Sequence, residues 1–179
     1  MKKTKIKDLF KKVRLLVLDV DGVLTRGEII YDSQGRELKV FNVKDGLGVF
    51  LLGRAGIPTV ILTAKDSPVV RRRAKDMRVA QVIGGVLPKE SVLPGLVARY
   101  RVKADNICFI GDDLIDIGLL KKVGLPIAPA DAPAPVKGAV RYVAGACGGQ
   151  GAVREVVDRI IAAQKLLGKI EYFLKNPRR

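Results

Sequence analysis

Residues 14–22 read Arg14-Leu15-Leu16-Val17-Leu18-Asp19-Val20-Asp21-Gly22. The short, branched, almost wholly apolar run over 14–20 predicts a buried strand. Two carboxylates two residues apart close it. In extended chain they point the same way, and Gly22 permits the bend that follows. Like charges held close in a low-dielectric site raise one pKa unless a cation lies between them. Taken alone, the same residues could be an acidic turn that merely stops the strand.

Around this stretch the apolar pattern alternates between strand-like and helix-like segments. Strands are predicted at 59–62, 80–83, 106–110 and 125–128, with a last one at 140–143. Helices are predicted at 44–55, 88–100, 113–123 and 152–167, with another starting at Pro68 behind Ser67 as N-cap. Pro94 should kink or break the helix over 88–100. Residues 28–31 and 37–42 flank Asp32-Ser33-Gln34-Gly35 and read as a β-hairpin. Strands alternating with helices predict an α/β fold: one Rossmann-like parallel sheet with helices on both faces, the hairpin protruding, in a single domain over 1–179. Ile6, Leu9, Phe10 and Val13 mark a short N-terminal helix over 4–12. The Ala/Pro-rich piece 129–135 is a loop or short helix, and the basic tail 169–179 either docks or frays. In such sheets ligands bind at the carboxyl ends of strands, near the point where strand order reverses.

A second acidic cluster, Gly111-Asp112-Asp113-Leu114-Ile115-Asp116, follows another predicted strand. Asp113 and Asp116 are three apart and share a helix face. Helix capping explains one such carboxylate, not three. Two clusters ending buried strands should open on one sheet edge. Thr63 reaches that edge after the strand over 59–62, and Lys89 offers a fixed positive charge at the start of a later helix.

The 179 residues contain no histidine, which excludes Ser-His and Cys-His nucleophiles and imidazole-ligated metal sites. All-oxygen ligation favours a hard cation, Mg²⁺ above Ca²⁺ or Zn²⁺. Cys108 and Cys147 make no disulfide framework and fit a reducing cytoplasm. No targeting segment and no membrane-spanning run are expected. The formal net charge of +15 suits an anionic partner, or equally a heat-adapted surface with few amides: three Asn and four Gln.

The order Asp-x-Asp-Gly (19–22), Thr63, Lys89, Gly-Asp-Asp-x-x-Asp (111–116) resembles that of the haloacid dehalogenase-like phosphatases. The hairpin ending Phe41-Asn42-Val43-Lys44-Asp45-Gly46 and the late Gly148-Gly149-Gln150-Gly151-Ala152-Val153-Arg154-Glu155 narrow the resemblance. They are similar to the 3-deoxy-D-manno-octulosonate 8-phosphate phosphatases, a cap-less, tetrameric family of that superfamily. The likeness spans roughly 13–167. It implies an eight-carbon sugar-acid phosphate of lipopolysaccharide synthesis as substrate. Ala64-Lys65 stands where that family commonly has Gly-Arg, and Lys44 where it has Arg; these departures bear on which sugar acid binds.

What the resemblance implies for the residues is a phosphomonoesterase. Asp19 attacks phosphorus to give an aspartyl-phosphate, and Asp21 serves as acid and then base. Mg²⁺ is held by Asp19, the Asp21 backbone carbonyl and Asp112, while Asp113 and Asp116 accept from bound water or from Lys89. Thr63 and the loop N–H groups after Asp19 (Gly22, Thr25) hold phosphate oxygens, and Lys89 offsets their charge. Lys44, Ala64, Lys65 and Arg154 are the remaining substrate-binding candidates. No cap fits between Asp19 and Thr63, where only the hairpin intervenes. The 27–43 hairpins are therefore expected to pair between subunits, bringing Arg154 to a neighbour's site.

Other readings fit parts of the pattern. A phosphatase for another sugar acid, such as a nine-carbon one, uses the same motifs. A receiver-type signalling domain also uses Asp, Thr, Lys and Mg²⁺, but its phosphorylated Asp ends the third strand. A nucleic-acid-binding module would use Arg71-Arg72-Arg73 and the tail; the low aromatic content of 5% and the lack of a binding motif weigh against it.

Overall fold

A computed structural model describes residues 5–176. Six strands form one parallel sheet: β1 (Leu15–Leu18), β4 (Thr59–Thr63), β5 (Gln81–Gly84), β6 (Ile107–Ile110), β7 (Leu125–Ala128) and β8 (Tyr142–Val143), in the order β5-β4-β1-β6-β7-β8. The chain builds outward to one side of β1 with β4 and β5, then to the other with β6, β7 and β8. Strand order therefore reverses at β1, where the ends of β1 and β6 lie side by side with Leu18 opposite Ile110.

The two-residue side-chain period sorts the core into two layers. Leu16 and Leu18 face α1 (Ile6–Lys12), α2 (Val43–Arg54), α3 (Pro68–Asp76), α7 (Ala152–Gln164) and α8 (Leu167–Lys175). Leu15 and Val17 face α4 (Leu93–Tyr100), α5 (Ile117–Leu120) and α6 (Ala134–Ala139). The apolar stripe of α7 is buried through Val153, Val156, Val157 and Ile160. No described helix is long and apolar enough to cross a membrane.

Several boundaries differ from the sequence expectation, each for a physical reason. The segment expected to be one helix from 88 is a 3₁₀ turn, Lys89–Val92, followed by α4. Pro94 lies in the first turn of α4, where a missing N–H costs nothing. The helix expected over 113–123 is a 3₁₀ turn, Leu114–Asp116, plus the single turn α5. Asp113 and Asp116 close a capping box there, and their carboxylates serve backbone N–H groups. Ser67 precedes α3 but makes no capping hydrogen bond. Residues 129–135 lead into α6, which has Pro135 in its first turn. The tail docks as α8: Ile170 is buried and Phe173 meets Phe50 edge to face. Residue 4 of the expected N-terminal helix and 177–179 of the tail lie outside the described residues.

The hairpin strands β2 (Ile30–Tyr31) and β3 (Glu37–Leu38) form a separate two-stranded sheet, shorter than the expected 28–31 and 37–42. A lone hairpin has no third strand to extend against. Its turn is fixed by the Asp32 carboxylate, which accepts from the N–H groups of Gln34 and Arg36.

Candidate active site

The carboxyl ends of β1, β4 and β6 open into a cavity of about 430 Å³ lined by Asp19, Asp21, Gly22, Thr63, Lys65 and Lys89 among others, with Asp112 and Asp113 opposite. Each acidic cluster reaches it because its strand ends there. Asp19 leaves β1 with its N–H on the Ile110 carbonyl at 3.0 Å, which docks the strand exit against β6.

At the base lies a buried charge cluster. The Lys89 ammonium, fully buried, pairs with Asp19 at 2.7 Å and with Asp116 at 2.6 Å. The second Asp116 oxygen accepts from the N–H groups of Asp112 at 2.9 Å and Asp113 at 3.1 Å. Ligand atoms of Asp19, Asp112 and Asp116 lie within 4.8 Å of one another. Burial pushes the Asp19 carboxyl up to about 6, against the opposing pull of Lys89. Burial, with the Asp19, Asp116 and Asp113 charges behind it, pushes Asp112 up to about 7. Burial alone would lower the Lys89 pKa, but Asp19 and Asp116 outweigh it and hold the ammonium above the usual lysine range.

This donor set fits a hard divalent cation. Asp112 Oδ1 is buried with no hydrogen-bond partner among the described residues, an arrangement that is costly unless a cation takes the lone pairs. Asp116 already spends both oxygens on Lys89 and backbone N–H groups, so Asp19 and Asp112 are the carboxylates left to hold the ion. Gly22 has φ +79°, and a Cβ on it would lie 1.9 Å from Asp112 Oδ2, so only glycine lets this loop approach the acidic strand exit.

Asp21 stands apart from that triad. Its carboxylate accepts from the Lys39 ammonium at 2.5 Å and from the Thr25 hydroxyl at 3.4 Å. Lys39, whose side chain is 4% exposed, also pairs with Glu37, and Glu37 pairs with Lys65 at the mouth. Thr63, which is buried, turns its hydroxyl to the Lys65 backbone, accepting from the N–H and donating to the carbonyl.

The structure gathers Asp19, Asp21, Gly22, Thr63, Ala64, Lys65, Lys89, Asp112 and Asp113 around the cavity, with Asp116 buried behind. Asp113 uses a carboxylate oxygen to cap Leu114 N–H. Thr25 and Lys44 fall outside, and Arg154 was expected at a neighbouring subunit's site rather than this one. Thr25 is buried and spends its hydroxyl within its own loop. Lys44 is exposed on the first turn of α2. Arg154 is bound through its Nε to both Asp158 oxygens on α7. Arg26, Lys39 and Asp131 were missed by sequence reasoning. Arg26 and Asp131 line the cavity, and Asp131 accepts from the Gly148 N–H, which anchors the late glycine loop beside the loop after Asp19. Arg71, Arg72 and Arg73 are engaged by Asp66, Asp76 and the Asn42 carbonyl.

Comparison with known proteins assigns this site to a class. A family model described as haloacid dehalogenase-like hydrolase matches residues 74–154. The 3-deoxy-D-manno-octulosonate 8-phosphate phosphatase KdsC of Haemophilus influenzae is 40% identical over 154 residues, which cover 86% of each chain. The crystal structure of the 3-deoxy-D-manno-octulosonate 8-phosphate phosphatase of Moraxella catarrhalis, in complex with magnesium ion, phosphate ion and a KDO molecule, aligns with TM-score 0.88. It is 35% identical, over 97% of this chain and 98% of that one. The corresponding enzyme of Yersinia pestis aligns with TM-score 0.88 at 37% identity, over 91% and 88% of the two chains. The chain therefore belongs to the haloacid dehalogenase-like hydrolases, in the family of the 3-deoxy-D-manno-octulosonate 8-phosphate phosphatases.

Proposed function

We propose that this chain is a Mg²⁺-dependent phosphomonoesterase of the cytoplasm, working as one domain, whose substrate is 3-deoxy-D-manno-octulosonate 8-phosphate. The observation that carries the reading is the unpartnered Asp112 Oδ1 beside Asp19 and Lys89, in a cavity open to solvent. Family membership and the magnesium, phosphate and KDO bound to the Moraxella catarrhalis relative support the cofactor and substrate. Asp19, Asp112 and the Asp21 carbonyl would hold the ion. Bound Mg²⁺ supplies the positive charge that lets a carboxylate and a phosphate dianion approach.

Asp19 attacks phosphorus in line and forms an aspartyl-phosphate, and the sugar oxygen leaves. Asp21, on the mouth side of Asp19, protonates that oxygen and later takes a proton from the attacking water. Lys89, fixed by Asp19 and Asp116, offsets charge on the phosphoryl oxygens, and Thr63, Ala64 and the N–H groups after Asp19 orient them. Lys65 and Arg26 stand at the mouth, where the carboxylate of a sugar acid would lie.

The hairpin supports a multi-subunit reading. Ile29, Tyr31, Val40 and Val43 are 59–76% exposed, an apolar surface that pairing with further copies, in a homotetramer, would cover. Arg154 would then reach a neighbouring subunit's substrate.

Phosphate release from a panel of sugar phosphates, eight- and nine-carbon sugar acids included, with and without Mg²⁺, tests this reading. Mg²⁺-dependent release, fastest on the eight-carbon ester, is expected; no release from any ester in Mg²⁺ would end it.

A further inference from the structure

The excess positive charge of the chain is not spent at the active site. That cavity carries Asp19, Asp21, Asp112, Asp113 and Asp131 against Arg26, Lys65 and Lys89. A second cavity, of about 340 Å³, has the opposite balance. It lies between the last turn of α2, the start of β4 and the turn after α3, with Phe50, Arg54, Thr59 and Arg78 on its wall and no carboxylate.

Two guanidiniums flank one ring there. The central carbon of Arg54 is 5.5 Å from the Phe50 centroid and 4.4 Å from that of Phe173, and that of Arg78 is 5.3 Å from Phe50. Among the described residues neither arginine makes an ion pair. Arg54 Nε and the Thr59 hydroxyl are buried without a hydrogen-bond partner among those residues, and Thr59 is only 3% exposed. Burying a donor with nothing to receive it is costly. Those two atoms have no accessible surface and do not open on the cavity, so what the cavity itself lacks is an acceptor for the exposed ends of its two unpaired guanidiniums. A tetrahedral dianion neutralises both charges and offers enough oxygens for two guanidinium forks. The apolar wall of Val49, Phe50 and Pro58 leaves room for a compact body attached to it.

We propose that this cavity is a second anion site that takes the phosphate group of a small metabolite. It is separate from the catalytic centre: Thr59 opens β4 and Thr63 closes it, so the two cavities lie at opposite edges of the sheet. The site does not depend on the hydrolytic reading, since none of its residues touches the reacting groups.

Calorimetric titration of inorganic phosphate into the full chain, with Mg²⁺ present, tests the proposal on the parent protein and on Arg54→Gln, Arg78→Gln and the double variant. Each variant should weaken one phosphate-binding event by at least about tenfold and leave turnover unchanged. Sulfate should compete for that event and acetate should not. Methylphosphonate in place of phosphate separates an ester-type ligand, which would bind more tightly through its apolar end, from free phosphate. Melting curves establish that each variant is folded; Arg78 is exposed, so Arg78→Gln decides if the others fail. Phosphate binding identical to the parent in Arg54→Gln and Arg78→Gln would overturn the site, and competition by acetate as strong as by sulfate would overturn its ligand class.

Discussion

The carboxyl edge of the sheet and the hairpin break the usual rules of burial in opposite directions. At the sheet edge, Lys89 and Asp116 are fully buried and Asp19 nearly so, where apolar side chains would be cheaper to desolvate. On the hairpin, Ile29, Tyr31, Leu38 and Val40 face solvent, where polar ones would be cheaper. Under the proposed function, the buried charge at a strand end serves chemistry, and the exposed apolar surface on a marginal element serves a partner. On that reading one region gives up stability for reactivity, and the other gives up solubility for assembly.

The sharpest way to break this contrast is at Asp19. Asp19→Asn keeps the shape and removes the carboxylate proposed to attack phosphorus, so phosphate release should fall by at least about a thousandfold with the melting temperature held or raised. Wild-type turnover in that variant would refute covalent catalysis. Lys89→Met should also abolish turnover, and it leaves Asp19 and Asp116 buried without their cation. Urea unfolding should show a loss of about 3–5 kcal/mol. A loss below 1 kcal/mol would mean that the buried cluster is not held together by Lys89.

A subtler effect concerns pH. Asp19 at about 6 and Asp112 at about 7 lie above the ordinary aspartate value of 3.8. Between 3.8 and these values the folded chain holds more protons than the unfolded chain. Metal-free protein should therefore lose stability as pH rises from about 4 to about 7, and level off above. Divalent cation should reverse that slope, because it competes with the protons, and melting curves with EDTA or Mg²⁺ read both. A metal-free melting temperature that rises over the same range would contradict the geometry. The smallest effect on the folded chain is expected at the other pole of the comparison. Tyr31→Asp with Val40→Asp should change the intrinsic stability of the subunit by about 0.5 kcal/mol or less per site. In sedimentation it should convert a multimer to a monomer. A parent chain already monomeric at micromolar concentration would leave the exposed hairpin without its proposed partner.

Much of this was legible in the sequence. The two acidic clusters could be read because each terminates an apolar run, and a parallel sheet brings such ends together whatever lies between. Thr63 followed by the same logic. Lys89 could be named but not ranked by pattern, since the chain's 33 Lys and Arg hide the one that is fully buried among the described residues. Lys39 was invisible for a related reason: it sits on a hairpin whose exposed strands gave no sign that one side chain folds back to Asp21. Asp131 was lost in an Ala/Pro-rich run where no strand end marked it. The helix expected over 113–123 shrank because the carboxylates that seemed to start it were already occupied in holding Lys89 and the backbone.

The uncovered mouth has a practical meaning for anyone seeking an inhibitor. With Asp21, Lys65 and Arg26 around the opening and Lys89 at its floor, charged side chains outnumber the apolar ones on the wall. A compact, multiply charged mimic of the reacting ester should outperform a bulky neutral compound. The obstacle would then shift from affinity to delivery, since molecules of that kind cross lipid envelopes poorly.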